Sequence, residues 1–367
     1  MIGKTPDMIV GSYAPEDVTF LLKPVQISLT DIATKEQLIQ SGEAHYSEMI
    51  SEERRPDARY LKIFETARTA GVERIAREIS SLAQRIAQRV RVGSLPLQIT
   101  LCSLVRAGVP YGILLQRELS TLGVDSFHFG ISIIRDRGLD RKAITYILNT
   151  RDESGVVFVD GWTGKGAIAT ELQKSWHDIT GRKSAELVVL ADPGGFASMS
   201  GSQDDWLIPS GVLGANISGL ISRSILNNDL IGPDDFHGSV LVDQLKDIDL
   251  SRPFVDQITA LMYRYRNASN TSNLPKNSKA LQARALASIN AIAEIFDVAN
   301  LNRIKPGIAE ATRAVLRRRP KTVFIRSFED PDLEALIYLC ETDGIEIVEN
   351  AALTGAYRAI TLIENAT

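Results

Sequence analysis

One segment of the sequence, VVFVDGWTGKGAI at residues 156–168, joins a hydrophobic strand to residues that could hold a phosphate. Asp160 ends the strand, and its carboxylate could accept hydrogen bonds from ribose hydroxyls. Backbone amides of a glycine-rich turn at a helix N-terminus favour an anion, and the hydroxyl of Thr163 adds a donor. The turn residues assigned to phosphate binding are Gly161, Thr163, Gly164, Lys165 and Gly166. A ligand-free strand-to-helix turn is the structural alternative, and the spacing differs from that of a Walker loop.

A second strand end, CSLVRAGVPYG at residues 102–112, has a similar outline. Arg106 places a guanidinium beside two small residues, Ala107 and Gly108, where a ligand could approach the backbone closely. This combination suits a pyrophosphate, because a guanidinium donates two parallel hydrogen bonds to neighbouring oxygens. The structural alternative is a tight turn with an exposed arginine. The two segments together predict a binding site for a phosphorylated ligand.

Short β-branched runs alternate with longer helical patterns through the first two thirds of the chain, which is typical of an α/β fold with a mostly parallel sheet. The predicted strands cover residues 97–104, 126–134, 155–159 and 185–190. Predicted helices cover residues 109–122 and 167–176, and residues 60–90 are interpreted as a pair of amphipathic helices. Both phosphate-type segments therefore follow the carboxyl ends of strands, where open α/β sheets bind ligands.

A polar stretch, NASNTSNLPKNS at residues 267–278, divides the chain. It can bury little surface, so it indicates a linker or an exposed loop. The sequence therefore predicts an α/β domain over residues 1–265 and a linker over residues 266–280. A smaller α/β domain, which begins with an alanine-rich helix, is predicted over residues 281–367.

The two strand-end segments resemble those of type I phosphoribosyltransferases. The resemblance implies that family's fold and its transfer chemistry, with Mg²⁺ carried by the pyrophosphate of the ligand and no metal ligated directly by the protein. It implies catalytic roles for Asp160 and for Arg135 and Arg137, which a flexible loop would bring to the departing pyrophosphate. Because the transition state would be oxocarbenium-like, the protein would contribute mainly by positioning the reactants and by neutralising the charge of the pyrophosphate. The family carries two adjacent acidic residues where this chain has Asp160 and Gly161, so a non-catalytic nucleotide sensor is an alternative.

A wider resemblance covers most of residues 10–250 and includes SYAPEDVTFLLKPV and GEAHYSEM. These stretches are similar to a bacterial family found with tellurium-resistance genes, described both as phosphoribosyltransferase-like and as the StiP-type cysteine protease family. The protease description implies a thiolate with a histidine within hydrogen-bond reach. Cys102 is the candidate thiol, with His45 as its first candidate partner and His128 as its second. A small core residue is the structural alternative for a cysteine in an apolar run.

The C-terminal part of the chain contains a local basic surface. Eight basic residues and one acidic residue, Glu310, fall within residues 302–326. The order NRIKPGIAEATRAVLRR, KTVFIR and LTGAYR resembles the Pelota-type RNA-binding domain. By position, the resemblance assigns RNA contacts to Lys305, Gly307, Glu310, Arg313 and Arg317. An asparagine of that family is replaced by Ala309, so we expect RNA contact mainly through phosphates, with strong salt dependence. A fold retained for packing or protein contact is the alternative.

Composition narrows the class of protein further. The net charge of −4 argues against a whole-chain electrostatic grip on nucleic acid or membrane. Two cysteines, Cys102 and Cys340, are too few for a disulfide framework or a thiolate zinc site. No apolar run approaches the roughly 18 residues of a membrane span, and the N-terminus lacks a secretory pattern, so we expect a cytoplasmic protein.

The leading prediction is a phosphoribosyltransferase-like enzyme in a tellurium-resistance or stress context. It would bind a ribose-5-phosphate or pyrophosphate ligand with Mg²⁺ and act on a base or nucleotide, including one linked to RNA. A cysteine peptidase that uses Cys102 is one alternative, and a nucleotide sensor with RNA binding is the other.

Overall fold

The computed structural model describes residues 7–266 and 278–365. The strands of the first part are β1 (Thr19–Phe20), β2 (Lys23–Pro24), β3 (Gln98–Leu104), β4 (Asp125–Ile131), β5 (Ile133–Ile134), β6 (Gly138–Leu139), β7 (Val156–Trp162), β8 (Glu186–Ala191), β9 (Met199–Ser202) and β10 (Gly238–Ser239). Its α-helices are α1 (Ile32–Ser41), α2 (Ala58–Arg91), α3 (Val109–Thr121), α4 (Arg141–Leu148), α5 (Ala167–Thr180), α6 (Pro209–Val212) and α7 (Ser251–Met262).

Parallel strands form the central sheet, in the order β1-β4-β3-β7-β8-β9. Successive residues of a strand point to opposite faces, so the apolar runs in β3 and β7 fill two cores. Leu101 and Val157 face the core under α2, α3 and α7. Cys102 and Phe158 face the core under α4 and α5. The predicted α/β fold with a mostly parallel sheet is confirmed.

Residues 60–90 form part of one helix, so the interpretation as a helix pair is wrong: α2 runs for 34 residues. The Asp57 side chain caps its first turn by accepting a hydrogen bond from the Tyr60 amide at 2.8 Å. Gly71 lies inside the helix, where glycine costs about 1 kcal/mol relative to alanine. A Cβ at that position would lie 3.2 Å from Pro209, so the glycine lets α2 pack closely on α6. Burial of the apolar stripe around Ile79 keeps the helix continuous.

The second described part, residues 278–365, is a smaller α/β unit. Its elements are α8 (Ser278–Ile295), β11 (Ile304–Pro306), α9 (Ile308–Arg317), β12 (Pro320–Ile325), α10 (Glu334–Asp343), β13 (Glu346–Glu349), α11 (Ala351–Thr354) and β14 (Ala359–Ile363). Its sheet has the order β11-β14-β12-β13, with β14 antiparallel to both neighbours and β13 parallel to β12. The predicted small C-terminal α/β domain is confirmed. Most of the predicted linker lies outside the described residues, and the exact domain boundaries stay a prediction.

The two units pack against each other through α6 and α9 and through several polar contacts. Asp205 accepts hydrogen bonds from the backbone amides of Ile308 at 3.0 Å and Arg358 at 2.7 Å. Arg318 forms an ion pair with Glu36. These contacts hold α9 opposite the carboxyl ends of the central strands. Within residues 7–266 and 278–365, no helix is long and apolar enough to cross a membrane.

Candidate functional site

A cavity of about 810 Å³ lies between the carboxyl ends of the central strands and the C-terminal unit. Its walls bring together residues that were assigned to separate sites from the sequence. The predicted site residues that line it are His45, Arg106, Ala107, Arg135, Arg137, Asp160, Thr163, Gly164, Lys165, Gly166, Lys305, Glu310, Arg313 and Arg317. Cys102, Gly108, Gly161 and Gly307 are not part of its lining. The strand-end turns and the basic side of α9 therefore face one shared space.

The turn after β3 is occupied by internal contacts. Arg106 forms a two-point ion pair with Glu53, with Nη2 2.7 Å from Oε1. Burial opposes ionisation of Glu53, but the charges of Arg106 and Arg317 outweigh it and hold the pKa of Glu53 well below its usual range. A Cβ on Gly108 would lie 2.1 Å from the carbonyl oxygen of Val159. The predicted pyrophosphate role needs a free guanidinium and an open backbone, whereas here the guanidinium is neutralised and the glycine serves packing.

The turn before α5 lies on the cavity wall and is covered by the C-terminal unit. The carbonyl oxygen of Gly164 accepts a hydrogen bond from the Tyr357 hydroxyl at 3.2 Å. The Lys165 ammonium donates to the carbonyl oxygen of Ile304 at 3.3 Å. Gly166 immediately precedes α5 and has a φ of +84°, a conformation that favours glycine. The predicted phosphate loop is therefore formed, and groups from β11 and its surroundings already contact it.

Asp160 lies near the carboxyl end of β7, beside the cavity. Its carboxylate accepts a hydrogen bond from the Gly161 amide at 2.7 Å. Burial raises the pKa of Asp160 to about 7, against the opposing effects of that amide and of Arg313. A carboxyl group with this pKa exchanges a proton near neutral pH. The neighbouring Thr163 hydroxyl donates to Asp192, so it is not directed at a ligand.

The sequence predicts a Mg²⁺ ion that is bound to the pyrophosphate of a ligand and that has no direct ligands from the protein. In the part of the chain that the structure describes, no group of three or more His, Cys, Asp or Glu residues is arranged to hold a metal ion. The Mg²⁺ expected on a bound phosphate ligand stays a prediction.

Arg135 and Arg137 belong to the hairpin of β5 and β6 on the cavity wall. The Arg135 amide donates to the Tyr46 hydroxyl at 2.8 Å. The Arg135 guanidinium lies 5.4 Å from the centre of the Tyr46 ring. Arg137 lies 3.7 Å from Glu48. Asp136, between the two arginines, has a φ of +66°, which is uncommon outside glycine. The arginines predicted on a flexible loop are thus held by a short hairpin that contacts the segment after α1.

Helix α9 turns its basic side toward the cavity. The residues predicted to contact RNA that line it are Lys305, Glu310, Arg313 and Arg317. Arg313 stacks over the ring of Trp162 at 4.6 Å. Gly307 begins the helix beside Asp205, and Ala309 packs against Gly211. The surface assigned to RNA therefore faces inward in this arrangement.

Neither cysteine faces the cavity. Cys102 is fully buried between Phe129 and Phe158 of the neighbouring strands, and burial raises the pKa of its thiol far above the usual range. Cys340 is buried on α10, and burial raises the pKa of its thiol to about 12. Among the described residues, no hydrogen bond joins either thiol to a histidine. His45 lines the cavity, and its Nε2 is buried without a hydrogen-bond partner in that same part of the chain.

His128, the second candidate partner, is enclosed under α3. Its Nε2 lies 2.7 Å from the Ser103 hydroxyl and its Nδ1 lies 2.8 Å from the carbonyl oxygen of Asp17. Burial lowers the pKa of His128 to about 4, so the ring is neutral and its Nδ1 proton is donated to that carbonyl. A Cβ on Gly112 would lie 2.1 Å from the Ser103 hydroxyl oxygen. This pair supports the packing of α3 on the sheet and does not reach the cavity.

Sequence reasoning missed three residues that shape the cavity. Glu53 neutralises Arg106, and Asp205 binds the start of α9. Arg223 lines the cavity and donates to the carbonyl oxygen of Tyr46 at 2.6 Å. No glycine-rich or periodic pattern marks these positions, because each acts through a residue far away in the chain. The acidic pair in QDDWLIP was the available signal for Asp205.

Comparison with known proteins covers nearly the whole chain. Residues 11–259 match the family model described as "Tellurite-like stress resistance cysteine protease StiP", and residues 283–365 match the model of the PELOTA RNA binding domain. The chain is 44% identical over 364 residues to a protein named Cysteine protease StiP from Acinetobacter baylyi. That alignment covers 96% of this chain and 94% of the relative.

Solved structures of hypoxanthine phosphoribosyltransferase from Trypanosoma cruzi are similar to a part of the chain. One is 17% identical, covers 36% of this chain and 77% of that chain, and has a TM-score of 0.29. Another, in complex with the product IMP, is 20% identical, covers 35% of this chain and 75% of that chain, and has a TM-score of 0.28. Similarity at this level says nothing about activity.

The leading prediction, phosphoribosyltransferase catalysis, is wrong, because the family model and the full-length relative both carry the name of a cysteine protease. The structure gives a physical reason, since Glu53 neutralises Arg106 and Tyr357 covers the turn at Gly164. The predicted resemblance to StiP-type proteins and to the Pelota domain is confirmed. The chain belongs to the tellurite-like stress resistance cysteine protease StiP family.

Proposed function

We propose that this chain is a cysteine peptidase of the StiP type and that Cys102 supplies its thiol. The main support is the 44% identity, over almost the full length of both chains, to a protein named as a cysteine protease. Cys102 lies on β3 two residues before Leu104, which lines the cavity. Residues two apart on a strand point to the same face, so the thiol lies about 7 Å along the strand from the cavity wall. Cys340 has no such relation to the cavity.

In a peptidase of this class, a neutral histidine takes the thiol proton and the thiolate attacks the peptide carbonyl. The C–N bond breaks as the histidine passes the proton to the leaving amine, and water then hydrolyses the thioester. His45 suits the role of the base, because burial and the charge of Arg137 lower its pKa and its Nε2 is not engaged by the described residues. Burial keeps the Cys102 thiol protonated in the present arrangement. Cleavage therefore requires the carboxyl end of β3 to open, so that the thiol and the imidazole meet in the cavity.

The test is cleavage of a mixture of unfolded proteins, with the new N-termini identified by mass spectrometry. We expect the wild type to generate termini that disappear with Cys102→Ala and persist with Cys340→Ala. Cys340→Ala is the matched control, because both thiols are buried and only Cys102 lies on a strand whose end lines the cavity. Termini that persist in Cys102→Ala would rule out Cys102 as the thiol. A wild type that generates no new termini would contradict the peptidase activity itself.

A second function, RNA binding by the C-terminal unit, is supported by the Pelota match over residues 283–365. Lys305, Arg313 and Arg317 face the cavity, so a folded RNA can reach them only after the two units separate. We expect weak, salt-sensitive binding by the intact chain and tighter binding by Asp205→Ala, which removes the contact at the start of α9. Fluorescence anisotropy with a labelled RNA hairpin measures both affinities, and equal values would contradict binding through this surface.

A further inference from the structure

The walls of the cavity carry much more positive than negative charge. Eleven Lys and Arg residues line it against five Asp and Glu residues, although the whole chain has a net charge of −4. Both units contribute cations to the walls. Charges of one sign on walls of low dielectric constant repel one another strongly and attract an anion into the space between them.

Internal carboxylates neutralise only part of this charge. Arg106 pairs with Glu53, and Arg318 pairs with Glu36. Within residues 7–266 and 278–365, five lining cations have no carboxylate within 4.0 Å and donate to neutral oxygens instead, namely Lys35, Lys165, Arg223, Arg303 and Arg313. None of these five cations has a direct ion-pair partner in the described part of the chain, and carboxylates act on Lys165, Arg223 and Arg313 only from a greater distance.

Arg313 makes few hydrogen bonds for a buried guanidinium. Among the described residues its Nε is buried without a hydrogen-bond partner, and its Nη2 reaches only the carbonyl oxygen of Ser210, at 3.5 Å. The ring of Trp162 supports the guanidinium from one side. Burial and the charges of Arg317 and Arg106 lower the pKa of Arg313 to about 9. The side chain is thus held in place with unused donors next to the cavity.

The facing wall, from the first unit, has the same electrostatic character. Burial and the charge of Lys305 lower the pKa of Lys165 to about 7, and burial lowers the pKa of Arg223 to about 10. Cations whose protonated form is disfavoured in this way gain the most from an anion placed among them. An anion in contact with both walls would offset the repulsion between their positively charged side chains.

The size and shape of the space limit the kind of anion. Its volume of about 810 Å³ falls within the range of small-molecule sites, about 300–1,000 Å³. A space of this size between two packed units admits a nucleotide-sized ligand and not a folded RNA. Phosphate oxygens suit these walls, because arginine and lysine both bind phosphate through charge-assisted hydrogen bonds and several linked phosphates can reach cations on both sides.

We propose that the cavity binds a small oligophosphate, a chain of linked phosphates that bridges Arg313 of the C-terminal unit to Lys165 and Arg223 of the first unit. The cations of the walls would bind the phosphate groups themselves, whether these belong to an inorganic oligophosphate or to the phosphate tail of a nucleotide. Binding of this kind forms and breaks no covalent bond and does not depend on the peptidase activity.

Isothermal titration calorimetry of the full chain with inorganic triphosphate and with ATP, each with and without Mg²⁺, tests the proposal. We expect saturable binding that weakens as salt rises and that is at least about tenfold weaker in Arg313→Gln, which loses a charge-assisted contact. The matched control is Arg319→Gln. Arg319 follows α9 and lies outside the cavity lining, with its side chain 55% exposed and 3.3 Å from Glu364, so its replacement should leave the affinity unchanged.

Lys165→Gln on the facing wall is the second variant, and thermal unfolding checks that each variant is folded. Equal affinity for the two ligands identifies the phosphate chain as sufficient, and tighter binding of ATP identifies a nucleotide as the source; both support the proposal. The proposal is overturned if neither ligand binds saturably, or if both wall variants bind as the wild type does. It is also overturned if the wild type binds an RNA hairpin but not triphosphate, and if the wall variants lose that RNA binding.

Discussion

The turn after β3 and the turn before α5 end neighbouring strands of one sheet, but their surroundings differ. The first is filled from within the same unit, because Glu53 neutralises Arg106 and Gly108 packs against β7. The second is exposed to the cavity and is contacted from the other unit by Tyr357. A glycine-rich turn with a nearby cation is therefore available to an anion only if no internal carboxylate already pairs with that cation.

The largest expected effect concerns the ion pair in the first turn. Glu53→Gln should lower the free energy of unfolding by about 3–5 kcal/mol, because it leaves Arg106, whose side chain is only 2% exposed, buried without its carboxylate. Urea unfolding measures this loss. The control is Asp343→Asn, which breaks an exposed pair with Arg54 and should cost less than about 1 kcal/mol. If the two variants lose similar amounts of unfolding free energy, burial does not make the Arg106–Glu53 pair more important than an exposed one.

The next effect tests why each turn contains glycine. Gly108→Ala should cost about 3 kcal/mol, because its Cβ would lie 2.1 Å from a backbone oxygen of β7 and overpacking is destabilising. Gly164→Ala should cost less than about 1 kcal/mol, because the nearest atom, the carbonyl oxygen of Pro306, lies 3.2 Å from its Cβ and belongs to the other unit. Chemical denaturation of both variants gives the comparison, and a larger loss for Gly164→Ala would reverse it.

The smallest effect concerns the contact that docks the C-terminal unit over the second turn. Burial raises the pKa of Asp205 to about 6, above its unfolded value of 3.8, so the folded protein holds this proton more tightly than the unfolded chain. Relative to Asp205→Asn, the wild type should therefore lose about 2 kcal/mol of unfolding free energy as pH rises from about 4 to about 7. Unfolding measured across this range checks the sign, with the exposed neighbour Asp204→Asn as control. A difference between wild type and Asp205→Asn that stays constant with pH would contradict it.

Local pattern was enough to predict the strands and helices that build the central sheet. The apolar runs of β3 and β7 indicate strands buried on both faces, and the structure has them there. The helix pair over residues 60–90 was wrong, because continuity of α2 through Gly71 depends on packing with Pro209, far away in the chain. The sequence predicts Asp160 and Lys165 at strand ends, where open α/β sheets bind ligands, and in the structure both line the cavity.

The roles of the same residues could not be predicted in this way. The sequence predicts that Arg106 binds pyrophosphate, and only its contact with Glu53 shows that its charge is already balanced. Cys102 was placed at a strand end, and only the packing of Phe129 and Phe158 shows that its thiol is enclosed. Arg313 was assigned to RNA, and only the docking of α9 shows that it faces the cavity.

Four properties could be predicted from the amino-acid sequence alone: the family, the α/β order of strands and helices, the position of the strand-end turns and the concentration of basic residues after residue 302. These properties depend on local spacing and composition, which folding does not alter. The tertiary structure alone decided which cations are neutralised, which way α9 faces and how deeply the thiol of Cys102 is buried. Charge compensation and burial depend on distances between residues remote in the chain and on the solvent they exclude, and both exist only after the two units have packed together.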